Sequence, residues 1–285
     1  MESLPYPAET CCFYVVNPYV PKFLVVGQFV YDLDPASYIG FVVGDVHGCL
    51  EEFRELLKLL SFSRERDRLV QVGDLMDRGP DPIGCVRFAR ELGATVLMGN
   101  HEDKHVRWRK HEAVRAVTGK KNPMKFSPNK IILNESLPDD IVQWMFEMPL
   151  TLDLGDGFVV THAGLEPAHS FADQGKAVLR VRYVDDKGKF VGFKNGTTDQ
   201  PEGTAYWTEK WKGPESVIYG HARHSHTTPR VDTFPGGRCF GIDTGCVFGG
   251  KLTAAILVSG QEPEFVQVDA RRTYADVTLY EDGNA

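Results

Sequence analysis

Residues 41–48 read Phe41-Val42-Val43-Gly44-Asp45-Val46-His47-Gly48, an apolar run that gives way abruptly to an aspartate and a histidine two residues apart, framed by glycines. The run predicts a buried strand, and Gly-Asp-x-His-Gly predicts a strand-end loop presenting two ligand-type side chains. The arrangement recurs downstream. Leu69-Val70-Gln71-Val72 leads into Gly73-Asp74-Leu75-Met76-Asp77-Arg78-Gly79, and Thr95-Val96-Leu97-Met98 into Gly99-Asn100-His101-Glu102. Two later histidines, in Val160-Thr161-His162-Ala163-Gly164 and Tyr219-Gly220-His221-Ala222, are placed in the same way. A single Gly-Asp turn after a strand is explained by backbone needs alone. Five such elements in order imply strand ends converging on one spot.

The donors in these loops are carboxylate, amide and imidazole, the set that suits hard divalent cations, and no thiolate is required. Two such ions about 3.5–4 Å apart need one carboxylate that reaches both. Asp74 is the candidate for that bridge. Asp45 and His47 would complete a first metal, and Asn100, His162 and His221 a second. Such a pair activates a water or hydroxide and neutralises charge on an attacked phosphoryl group, so the pattern implies phosphoester cleavage.

These five motifs, in this order, resemble the phosphoprotein-phosphatase branch of the calcineurin-like metallophosphoesterases over roughly residues 38–270. The resemblance implies the same six metal ligands, two divalent ions (manganese, iron or zinc), and direct attack by metal-bound hydroxide. It also implies His101, oriented by Asp77, as the acid that protonates the leaving oxygen, and Arg78 as a phosphate clamp. The residue types support these roles independently: imidazole donates protons near neutral pH, a carboxylate fixes its tautomer, and guanidinium grips phosphate through two bonds. Residues 241–254, Gly241-Ile242-Asp243-Thr244-Gly245-Cys246-Val247-Phe248-Gly249-Gly250-Lys251-Leu252-Thr253-Ala254, resemble the symmetrical diadenosine-tetraphosphatase-like and bacterial members. Many proteins of that branch lack the pair that Asp77 and Arg78 supply here.

From residue 38 onward, strands alternate with helix-spaced apolar residues, as in Leu50, Phe53, Leu56, Leu57 and Leu60. Strands are expected at 38–44, 69–72 and 94–98, with helices from 50, from about 80 and from 102. The second half is richer in strands, at 150–154, 158–161, 217–219, 239–243, 252–258 and 264–268. The fold expected is α/β, a two-sheet β-sandwich flanked by helices, in one domain over 38–285. Residues 1–37 form an N-terminal extension, in which 23–31 is expected to make a strand or hairpin covering a sheet edge. Pro18, Pro21, Lys22 and Gly27 interrupt its apolar stretch, so it reads as neither signal peptide nor membrane span.

The chain has 285 residues, 42% hydrophobic and 25% charged, with a net charge of -7. That charge argues against general nucleic-acid binding. Six cysteines without a regular framework, two of them adjacent, point to reduced thiols and a cytoplasmic setting. Cys49 and Cys246 are expected to pack near the site without taking part, and Trp108 and Trp144 to pack in the core.

Two insertions are expected to determine the substrate. Residues 101–130 carry nine Lys and Arg against three Asp and Glu, so Lys120, Lys121 and Lys125 are candidates for gripping a polyanion. Residues 165–213 lack clear periodicity but contain Arg180 and Arg182, either of which could grip phosphate. His224 and His226 are left outside the ligand set. The favoured substrate is a dinucleoside polyphosphate; alternatives are a Ser/Thr phosphoprotein and, in a different class, a metal-supported binding module without turnover.

Overall fold

The computed structural model describes residues 23–26, 29–32, 38–193 and 199–276. Strands β1 (Phe23–Val26) and β2 (Phe29–Asp32) form the expected hairpin, but they pair only with each other. Among the described residues they join neither main sheet as an added strand. The strand–loop–helix units then follow as β3 (Tyr38–Val43), α1 (Leu50–Leu59), β4 (Leu69–Gln71), α2 (Pro82–Glu91), β5 (Thr95–Val96) and α3 (Asn100–Thr118). Helix α2 begins at Pro82 because Asp81 caps it, its Oδ1 accepting from the Gly84 N–H at 2.8 Å.

Two further helices, α4 (Pro128–Glu135) and α5 (Asp139–Phe146), stand where no helix was expected. After β6 (Thr151–Gly155) and β7 (Phe158–Thr161), the aperiodic insertion holds β8 (Tyr183–Val184), β9 (Phe190–Val191) and β10 (Ala205–Tyr206), a small antiparallel sheet in the order β10-β8-β9. The chain closes through α6 (Trp207–Lys210), β11 (Ser216–Tyr219), β12 (Arg230–Phe234), β13 (Gly237–Gly241), β14 (Lys251–Val258) and β15 (Glu264–Asp269).

The two main sheets have five strands each, ordered β15-β14-β3-β4-β5 and β12-β13-β11-β7-β6. Within them β3, β4 and β5 run parallel, as do β7, β11 and β13. Parallel neighbours end at one sheet edge, so their following loops come together there. Strand side chains alternate faces, and β3 shows the consequence. Val42 packs with Val70, Ile218 and Leu257 between the sheets, whereas Phe41 and Val43 pack with Phe53, Leu56 and Ala89 beneath α1 and α2. Trp108 is buried and stacks on Phe126 with centroids 4.3 Å apart, a packing role as expected, and Trp144 packs against the helix-side core.

Candidate metal centre and active site

Six loops bring the polar residues together. Those after β3 and β4 carry Asp45 and His47, and Asp74, Asp77 and Arg78; the one after β5 leads into the first turn of α3, which carries Asn100 and His101. Those after β7, β11 and β13 carry His162, His221 and Asp243. His47, Asp74, Asp77, Arg78 and His221 all have positive φ, between 45° and 70°. A left-handed backbone costs L-residues energy, on the order of 1–3 kcal/mol each, and such strain gathers where side-chain placement matters more than local comfort. Gly220 shows the same demand differently: a Cβ there would overlap the Asp45 carboxylate.

Asp74 stands at the middle. Its Oδ2 lies 3.5 Å from His47 Nε2 and 3.9 Å from His101 Nε2, while its Oδ1 lies 3.5 Å from His162 Nε2. One carboxylate therefore turns an oxygen to each side. The ring orientations are fixed by backbone carbonyls. His47 Nδ1 donates to Met76 O at 2.8 Å and His162 Nδ1 to Val72 O at 3.0 Å, which leaves each Nε2 as an acceptor near Asp74. Asn100 Oδ1 lies 3.1 Å from His162 Nε2. The His221 ring packs edge-on against His162, and its backbone N–H donates to both oxygens of Asp45 at 3.0 and 3.1 Å.

Cations fit this arrangement. His47, Asp74 and His101 form one close donor group, and Asp74, His162 and His221 another, so the two share the aspartate. Burial pushes Asp74 up to about 7 against the pull of Arg78, and burial, then Asp243, then Asp74 raise Asp45 well above the usual carboxylate range. Buried carboxylates that repel one another are a setting positive charge relieves. The Arg78 guanidinium already supplies some, with Nη1 donating to His47 Nε2 at 2.5 Å.

Asp77 is the second hub. Its Oδ2 accepts from His101 Nδ1 at 2.5 Å and from Lys130 Nζ at 2.8 Å, and its Oδ1 accepts from His105 Nε2 at 2.8 Å. Burial alone would raise Asp77, yet the two histidine hydrogen bonds hold its carboxyl far below the usual range. The His105 tautomer follows from Asn134, whose amide donates to His105 Nδ1 at 3.0 Å and so leaves the ring hydrogen on Nε2.

Sequence reasoning missed several members of this site. Glu102 is fully buried and accepts from the Asp74 and Met76 N–H groups, both at 2.8 Å, which pins the Asp74 loop. Burial, then Asp74, lift it to about 7. Asp243 raises Asp45 and accepts from Gly245 N at 2.9 Å. Lys104, His105 and Lys130 also belong here; the first turns of α3 already carried two of them directly after the ligand motif, a signal read only as charge.

Of the predicted substrate residues, Arg182 Nη2 donates to His221 O at 3.3 Å and its Nε is buried without a partner, whereas Arg180 lies 3.7 Å from Asp103. Lys120, Lys121 and Lys125 are exposed beyond α3, and among the described residues no hydrogen bond or ion pair links them to the ligand cluster. His224 is engaged elsewhere, with Nε2 2.9 Å from the Tyr206 hydroxyl.

Residues 41–236 match the sequence profile described as calcineurin-like phosphoesterase. A symmetrical bis(5'-nucleosyl)-tetraphosphatase of Chromohalobacter salexigens is 31% identical over 272 residues, spanning 78% of this chain and 95% of that protein. An asymmetrical bis(5'-nucleosyl)-tetraphosphatase of Oceanobacillus iheyensis is 30% identical, spanning 82% of this chain and 93% of its own. The crystal structure of a candidate diadenosine tetraphosphatase superposes with a TM-score of 0.64 at 29% identity, covering 81% of this chain and 92% of that one.

Proposed function

Because the chain belongs to the calcineurin-like phosphoesterase family and is a metal-dependent hydrolase of phosphoric esters or anhydrides, we propose that it cleaves dinucleoside polyphosphates at a two-cation centre. The observation that carries this reading is Asp74, one carboxylate with an oxygen turned toward each of two imidazole groups. In it, Asp45, His47 and Asp74 hold one ion; Asp74, Asn100, His162 and His221 hold the other; and manganese, iron or zinc suit these oxygen and nitrogen donors. Bound there, such ions neutralise phosphoryl charge and lower the pKa of a water.

The protein's own groups do the remainder. Asp77 holds the His101 ring by Nδ1, and its carboxylate favours the imidazolium against burial and Arg78, which lower the ring's pKa; in that form Nε2–H faces the Asp74 side and protonates the departing oxygen. Arg78 and Arg182 grip the phosphoryl oxygens. Lys104, Lys130 and Arg180 extend this positive edge, which suits a chain of phosphates better than a single one; Lys104 feels the charge of both Lys130 and Arg180. The relatives' names supply the nucleotide ends. Among the described residues no helix is long and apolar enough to cross a membrane. Buried free thiols at Cys49, Cys85, Cys239 and Cys246 suit a reducing, cytoplasmic compartment.

A second reading, a Ser/Thr phosphoprotein phosphatase, is favoured by the paired Asp77 and Arg78. The two separate in one assay. Manganese-loaded protein should convert diadenosine tetraphosphate to ADP alone, whereas AMP plus ATP would mean a shifted binding register. Protein that ignores dinucleotides yet dephosphorylates phosphoserine or phosphothreonine peptides efficiently would establish the second reading.

A further inference from the structure

Behind the first ligand loop lies a second group of donors that the reaction does not use. Cys49 follows His47 by two residues, Glu52 sits in the first turn of α1, and Cys246 lies in the loop between β13 and β14. All three are buried, with exposures of 0%, 0% and 1%. Their sulfur atoms and a carboxylate oxygen lie within 4.8 Å of one another. The two oxygens of Glu52 are treated very differently. Oε1 accepts from the Arg271 N–H at 3.0 Å and the Tyr274 O–H at 2.7 Å, whereas Oε2 is buried with no hydrogen-bond partner.

A buried carboxylate oxygen without a partner carries a desolvation cost that something must offset. A carboxylate fixed through one oxygen by outer hydrogen bonds, with the other free toward soft donors, is how proteins hold a metal-ligating Asp or Glu. Two sulfurs and one oxygen are a thiophilic set, unlike the oxygen and nitrogen set around Asp74. We propose that Cys49, Cys246 and Glu52 form a buried site for a zinc-class divalent cation, separate from the Asp74 centre. Three protein donors leave a fourth position of a tetrahedral ion to water. On binding, each ligating thiol releases its proton to solvent as a sulfur–metal bond forms, and nothing is oxidised or reduced. The ion joins the Asp45–His47 loop, α1, the loop after Asp243 and the segment at Arg271 and Tyr274. It clasps the first-metal loop from behind.

Cobalt tests this through a readout that activity does not share, because only a thiolate ligand gives cobalt an intense near-ultraviolet charge-transfer absorption. The full chain is purified from cells grown with added Co²⁺, so that the site fills as the protein folds. The wild-type protein should show the band, and Asp74→Asn should keep it, since no thiolate serves the other centre. Cys246→Ser should abolish it. Glu52→Gln, which retains a side-chain oxygen for Arg271 and Tyr274, should weaken retention of the ion against a chelator by roughly tenfold or more. Protein from zinc-supplemented cells should show sulfur at about 2.3 Å in its zinc X-ray absorption spectrum. Wild-type protein carrying cobalt or zinc without sulfur ligation, or carrying neither by either route, would overturn the site even if Cys246→Ser proved too unstable to purify.

Discussion

At the scale of single residues, the site depends on which atom of each side chain faces inward. Replacing Asp74 by Asn removes a charged oxygen from between two imidazole groups while preserving volume. We expect metal content to fall and turnover to drop by several orders of magnitude, as loss of an activated water implies; two ions still bound with near-normal rate would refute the bridging role. His101→Asn should leave the metals in place and cost about 10²–10⁴ in rate for an alkyl phosphate, but far less for p-nitrophenyl phosphate, whose leaving group needs little protonation. Equal losses on both substrates would remove His101 from that step. Lys104 provides a pH signature. Burial, then Lys130 and Arg180, lower it to about 8 from an ordinary value near 10.5. Its charge is therefore present below pH 8 and lost as pH rises through that value. KM for diadenosine tetraphosphate should climb above pH 8 in the wild type, whereas Lys104→Met should start higher and lack that rise. The candidate ligand residues were legible in the sequence because each follows an apolar strand directly. Glu102 was not, because its function is to accept two backbone N–H groups from a loop 26 and 28 residues away.

At the scale of elements, α3 and α4 act together as a brace for Asp77 and His101. Asp77 on the loop after β4 meets His105 from α3 and Lys130 from α4, and Asn134 of α4 fixes the His105 tautomer. Asn134 is held in turn, its Oδ1 accepting from Arg109 Nε at 3.2 Å. With its folded pKa depressed, Asp77 contributes stability that is present above the unfolded carboxylate range and is lost as pH falls toward the folded value. Asp77→Asn should therefore lower the melting temperature at pH 7 and converge with the wild type in strong acid; a gap that stays constant with pH would deny the charge its part. His105→Asn should leave metal content unchanged and reproduce, more mildly, the leaving-group discrimination of His101→Asn. Helix α4 escaped sequence reasoning although Ser127 caps it, with Oγ accepting from Lys130 N, and Pro128 opens it. Its buried contact is polar Asn134, so it lacks the apolar stripe by which helices are recognised. Strand β12 escaped for a related reason. It is an edge strand with alternating exposure and only five residues, Arg230–Phe234, two of them charged.

For the whole molecule, a net charge of -7 surrounds a site edged with Arg78, Lys104, Lys130, Arg180 and Arg182. Attraction of a polyanion should be local and weaken as salt shortens its reach. The kcat/KM for diadenosine tetraphosphate should fall more steeply with ionic strength than that for p-nitrophenyl phosphate. Lys130→Ala should lower the dinucleotide value more than joint replacement of Lys120, Lys121 and Lys125 by Ala, which reverses the ranking that charge density along the chain suggests; equal effects would return the preference to the exposed lysines. By itself the sequence determined the α/β layering, five of the strand ends that meet at the site and the chemical types of the candidate ligands. These follow from short-range rules, since a strand alternates faces every residue and the loop after a parallel strand emerges at a shared edge. Only the tertiary structure decided which oxygen of Asp74 faces which imidazole, that Asp77 gathers His101, His105 and Lys130, and that Arg182 rather than Arg180 meets His221. Those pairings cross helices and insertions of irregular length. Separation along the chain does not fix distance there, and side-chain direction is set by packing against elements the local sequence does not contain.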